Sequence, residues 1–183
     1  MMTRSRLRLA IGILVVLGST SFQAQTPSQD EATIAKQFIG IWRLLSWPVR
    51  FADGTTRQDP RSVAYIIYTD TSPIHMCYVS MDPNRPKWNL EGKNAVSGGY
   101  TPTPGEVGTA FMGSYGYCST VEVHAKEGFV LHHIEIDVNP NLAGLTRKRF
   151  FTFEGPNRVS LRIDPSENAP PIVDSTLVWE RVR

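Results

Sequence analysis

The stretch Tyr117–Val138, YCSTVEVHAKEGFVLHHIEIDV, decides the fold. Two runs dense in β-branched and aromatic residues flank the turn residues Lys126-Glu127-Gly128. Strand side chains alternate between two faces, and a short turn between two such runs reads as a hairpin. Toward the C-terminus the pattern repeats over Leu145–Glu154, Val159–Asp164 and Val173–Arg183, with turn-rich breaks between them. Toward the N-terminus it repeats over Ile41–Arg50, Val63–Thr69 and Ile74–Met81. The short connections argue for hairpins and against βαβ crossovers. Eight antiparallel strands in about 160 residues can close into an up-and-down barrel just wide enough for one small ligand. A two-sheet sandwich is the alternative.

Two segments carry a helical pattern instead. Ser28 and Glu31 stand at capping-box spacing before Ile34, Ala35 and Phe38, which predicts a short helix over Glu31–Ile39. After the third strand, a polar loop over 82–102 leads to Thr103, Pro104 and Glu106. These residues suit an N-cap, a first helical position and a closed capping box. The helix then presents Val107, Ala110 and Phe111 on one face and ends at Gly113 or Gly116, with Phe111 placed to plug one end of the barrel.

The first 24 residues read differently. Arg4, Arg6 and Arg8 precede an apolar run over Leu9–Leu17, followed by small residues and Ala24. This is the layout of a secretory signal peptide, with cleavage expected after Ala24. The run is too short to span a bilayer, although an uncleaved anchor is the alternative. Residues 1–24 hold three Arg and no acid, so their removal takes the formal charge from +2 to −1. A near-neutral chain lacks the basic face that nucleic acid requires. The expected organisation is a signal peptide over 1–24, a leader and short helix over 25–39, and a barrel domain over 40–183. The destination is the periplasm or the extracellular space, with no integral membrane segment after processing. In an oxidising compartment Cys77 and Cys118 form a disulfide or remain two buried thiols, and the bridge is the favoured reading.

Several segments, in this order, resemble the bacterial and fungal lipocalin-like domain family: GIWRLLSW from Gly40, VAYIIYTD from Val63, MDPNRP from Met81, AFMGSYGY from Ala110, LHHIEIDVNPNLAG from Leu131, RKRFFTF from Arg147 and TLVWERV from Thr176. The resemblance covers about residues 36–183 and implies an eight-stranded calycin-type barrel with a central cavity and no assigned reaction. It also implies that Gly40 and Trp42 stand where the G-x-W of lipocalins stands, and that Arg181 packs over Trp42 at the closed end. The two cysteines lie outside the family pattern.

For a ligand, the strand Val130–Val138 is informative. His132, Ile134, Ile136 and Val138 share one face, and Leu131, His133, Glu135 and Asp137 share the other. The more apolar face suits the lumen. On the next strand Arg147, Arg149, Phe151 and Phe153 share a face, so Arg149 and Phe151 can join His132, Ile134 and Ile136 inside. Arg149 with His132 in an apolar cavity suits an acidic or carbonyl-bearing ligand. Alternatively, Arg149 pairs with Glu135 at the rim and His132 is a hydrogen-bonded core residue. Trp88 and Tyr115 are candidate contacts at the mouth.

Catalysis has weaker support. His133 and Glu135 share a face and form the only candidate acid–base dyad. No serine elbow, phosphate loop or dinucleotide fingerprint is present, no cofactor is expected, and adjacent histidines on a strand cannot share a metal. The expectation is therefore an exported barrel that binds an apolar or amphipathic small molecule. An isomerase, cyclase or hydrolase acting on a small apolar substrate is the first alternative, and an interaction module with a filled barrel is the second.

Overall fold

The structure, a computed structural model, describes residues 29–88 and 101–183. The segment expected to be a signal peptide, Ser28 and most of the loop before Thr103 lie outside the described residues. In chain order the elements are α1 (Gln29–Phe38), β1 (Gly40–Ser46), β2 (Pro48–Phe51), β3 (Thr56–Gln58), β4 (Val63–Tyr68), β5 (Ile74–Met81), α2 (Pro104–Met112), β6 (Ser114–His124), β7 (Phe129–Asp137), β8 (Thr146–Phe153), β9 (Arg158–Ile163) and β10 (Ile172–Arg181).

Each strand pairs antiparallel with its neighbours, in the order β1-β4-β5-β6-β7-β8-β9-β10, and β10 returns to β1. The result is a closed eight-stranded antiparallel barrel with two helices. Alternation carries the core: in β4 Ala64, Ile66 and Tyr68 point inward and are buried, while Val63, Tyr65 and Ile67 point out. The expected first strand, Ile41–Arg50, is two strands. Its register along β10 shifts between Leu44 and Ser46, and the chain resumes as β2 beyond Trp47. β2 then folds back on β3 around Asp53-Gly54, where Asp53 accepts from the Thr55 amide at 2.9 Å. β3 is too short and polar to stand out in the sequence.

One end is closed. α1 delivers Phe38 onto the rings of Tyr68, Phe151 and Phe153, with centroids 5.2, 5.3 and 4.9 Å away. Burying an aromatic of this size is worth about 2–3 kcal/mol. The indole N–H of Trp42 donates to the Phe38 carbonyl at 2.7 Å, tying the floor of the barrel to the end of the helix.

The disulfide Cys77–Cys118 joins residues directly opposite each other on β5 and β6, with Cα atoms 4.1 Å apart. One residue beyond Cys118 the β6–β7 register shifts: Cys118 faces Ile136, Ser119 faces Ile134, and Glu135 has no partner. This is a β-bulge, and it inverts the facing of everything after it.

α2 has the expected start. Thr103 caps the Glu106 amide, and the Glu106 carboxylate accepts from the Thr103 amide at 2.8 Å. Gly113 ends it, with Arg85 lying so close that a β-carbon there would collide with the Arg85 side chain. The helix buries no residue, and Phe111 is 50% exposed. Phe111 therefore does not plug the barrel. Its helix is held from outside by Arg85, which donates to the carbonyls of Asp82 and Ala110, so the apolar face is not drawn into the lumen. No helix among the described residues is long and apolar enough to cross a membrane.

Candidate functional site

The end opposite α1 is open. Inward-facing residues leave a narrow cavity of about 50 Å³ inside the barrel, lined by Tyr78, Tyr115, Tyr117, His132 and Trp179 among others. Above it is a depression of about 350 Å³, bordered by Arg61, Leu142, Leu145 and Glu167. Trp47, Arg147, Arg149 and Ile163 line both, so the depression and the cavity share a wall.

His132 is fully buried on β7. Its Nδ1 lies 2.9 Å from the Tyr117 hydroxyl and its Nε2 3.4 Å from that of Tyr68. A neutral imidazole donates through one nitrogen and accepts through the other, so both contacts are satisfied without a charge. Burial, followed by the positive charges of Arg149 and Arg147, holds the ring well below the usual histidine range. Tyr117 rises above the usual phenol range, chiefly through burial. His132 is thus a neutral element of the wall that still borders the cavity.

Arg149 is buried, with its guanidinium at the base of the mouth. It donates to Glu167 at 2.7 Å and to the Lys148 carbonyl at 2.6 Å. Glu167 also accepts the Lys148 amide at 2.7 Å, which anchors the turn over Pro165–Glu167 to β8. The rim partner of Arg149 is therefore Glu167, not Glu135. Arg61 makes a two-point contact with Asp59, at 2.9 and 2.7 Å, and stacks 4.9 Å from the Trp47 ring.

Arg147 lies directly opposite His132 in the β7–β8 register. Its guanidinium carbon is 5.5 Å from the ring centres of both Tyr115 and Tyr117. It forms no ion pair among the described residues. Tyr115 donates instead to Asp137, at 2.6 Å.

The candidate residues divide accordingly. Tyr115, His132 and Arg149 border the cavity. Ile134 is buried in the core. Phe151 faces inward but packs edge-to-face against Phe38 in the floor, away from the opening, because β8 runs from the mouth to the closed end. Ile136 is 63% exposed and does not line the lumen, since the bulge at Glu135 turns Ile136 outward and Asp137 toward Tyr115. Trp88 is exposed beyond β5 and borders neither cavity nor mouth. His133 lies on the outer face, where its Nε2 meets Glu122 at 3.1 Å and its Nδ1 meets Thr146 at 2.9 Å. Its carboxylate partner is Glu122, so the His133–Glu135 dyad does not form. Arg181 sits with its guanidinium carbon 4.1 Å from the Trp42 ring centre.

Trp47, Arg61, Tyr117, Arg147 and Glu167 are site residues that the sequence reading did not single out. For Arg147 the signal was present, since it shares a face with Arg149. Trp47 and Glu167 sit at a strand break and in a short turn, where no periodicity assigns a side.

A second hollow, of about 450 Å³, lies on the outside of the barrel over Tyr65, Ile67, Cys77, Val79, Cys118 and Ile136. It is an apolar sheet face that presents no cation.

No curated protein matches the chain. Among solved structures, a de novo designed fluorescence-activating β-barrel is similar at a TM-score of 0.41 and 11% identity, covering 81% of this chain and 96% of that one. A redesigned β-barrel is similar at a TM-score of 0.42 and 13% identity, covering 86% and 100%. A family model described as a lipocalin-like domain matches residues 39–182, nearly the whole described fold, and the chain belongs to that lipocalin-like domain family.

Proposed function

We propose that this chain is an exported carrier that binds one amphipathic small molecule at the open end of its barrel. The observation that carries the reading is the juxtaposition of mouth and lumen, which share Trp47, Arg147, Arg149 and Ile163 as a common wall above the aromatic floor. Ordinary ligand pockets measure about 300–1,000 Å³. The mouth, at about 350 Å³, falls in that range, and the lumen, at about 50 Å³, does not. The body of the ligand therefore rests in the mouth and only its end enters the barrel. The basic, apolar N-terminal segment and the disulfide support export.

The narrow lumen favours a second reading, a filled barrel that acts through its apolar outer face. Native mass spectrometry of the protein from its own host, compared with a denatured sample, separates the two. A small mass lost on denaturation supports the carrier. An identical mass in both states supports the filled barrel. The denatured mass also reads cleavage after Ala24.

A further inference from the structure

We infer that the ligand is a monoanion, an aliphatic or aromatic carboxylate whose head group is received by Arg147 between Tyr115 and Tyr117. This rests on the carrier reading above and specifies the chemistry of the same site.

Three cations and two acids border the mouth. Arg61 is taken by Asp59 and Arg149 by Glu167. The neighbouring Asp137 accepts from the Tyr115 hydroxyl and from the Asn139 amide at 2.7 Å. Arg147 remains, with two aromatic faces and no carboxylate. A cation held at the edge of an apolar barrel without a counter-ion favours an anion arriving there, because the apolar surroundings strengthen a charge-assisted two-point contact.

The second observation is independent. Trp179 and Tyr78 both line the cavity, and Trp179 is 1% exposed. Yet Trp179 Nε1 makes no hydrogen bond to any described residue. Buried polar groups nearly always have partners. An indole N–H can only donate, so the partner that suits it is an acceptor. Beside a guanidinium, which also only donates, the lumen calls for an acceptor-rich, negatively charged end. Size and charge narrow the class. A planar carboxylate matches one guanidinium in a two-point contact. A phosphate dianion brings a second charge that no unpaired cation at this opening answers.

The test is calorimetric titration of the processed protein with octanoate and with 1-octanol, which share a chain and differ in the head. The expected result is at least tenfold tighter binding of octanoate. Arg147→Met then lowers octanoate affinity about tenfold and octanol affinity much less, so the preference between the probes collapses, while Arg147→Lys keeps part of it. Equal binding of the two probes by the wild-type protein overturns the monoanion and leaves the carrier standing. A preference for octanoate that survives Arg147→Met also overturns it, since the charge is then read elsewhere. Binding of neither probe removes both readings. The wild-type comparison needs no variant, so the inference stays testable even if a substitution impairs folding.

Discussion

The guanidinium of Arg181 covers the ring of Trp42 and at the same time collects the last carbonyls of α1. It donates to Gln37 at 2.6 Å and to Ile39 at 2.5 Å, while its Nε donates to Pro156 at 3.0 Å. The last turn of a helix carries partial negative charge, so a cation is well placed there. One side chain thus joins the C-terminal strand, the helix and the β8–β9 turn. Gly40 makes room for it: its φ is +126°, and a β-carbon at that position would stand 2.8 Å from the Arg181 guanidinium. Arg181→Met keeps the stem and removes the charge, and should cost about 2 kcal/mol. Gly40→Ala should cost a similar amount through backbone strain alone. Both are read from urea midpoints at constant slope.

The disulfide closes a loop with a sequence separation of 41 residues. Chain-entropy reasoning puts its contribution at about 4 kcal/mol, an upper figure for residues that the sheet already holds side by side. Cys77→Ser/Cys118→Ser should lower stability by about 2–4 kcal/mol. Octanoate affinity should not change, because both cysteines belong to the outer hollow and not to the lumen. Unfolding curves and calorimetry on the same preparation check the two halves of this expectation.

His132 sets a pH dependence. Its folded-state pKa is depressed, mainly by burial and then by Arg149, so below about pH 6.5 the unfolded chain binds a proton that the folded chain refuses. Stability therefore falls as pH falls from 6.5 toward the folded value, by up to about 1.4 kcal/mol per pH unit. His132→Gln should remove that slope, whatever it does to stability at pH 7.5. Urea melts of both proteins between pH 7.5 and 5 measure the difference. Equal slopes would mean that His132 titrates normally.

Arg149 and Glu167 form an ion pair with Arg149 buried and Glu167 only partly covered. Removing one partner leaves an uncompensated charge, whereas replacing both by neutral groups is often tolerated. Glu167→Gln should cost about 3 kcal/mol, and Arg149→Met/Glu167→Gln should recover most of it. A double-mutant cycle in urea gives the coupling, which should exceed about 1 kcal/mol.

Much of this architecture was legible because β-periodicity is strong in the chain. The closed ring, the capping box at Thr103 and the placement of His132 and Arg149 all follow from residue spacing. What escaped depends on events that period-two reading cannot register. At Glu135 one extra residue reverses the facing of Ile136, and nothing in HIEID announces it. Phe111 has an apolar face at helical spacing, but the spacing does not say that Arg85 pins the helix outside. The pairing of Arg149 with Glu167 crosses 18 residues and a tight turn, so local pattern could offer only the nearer Glu135.

The ring of strands also governs how copies of this molecule can meet. With β1 sealed to β10, the outer edge of the β2–β3 hairpin is the exception among the described residues, and its last strand is the three exposed residues Thr56–Gln58. An unpaired strand edge is what templates fibrils and domain-swapped sheets. Here the outward-facing aliphatics around the disulfide lie in the middle of paired strands. Any self-association they drive is therefore flat, face against face and reversible by dilution, and it cannot propagate by adding strands.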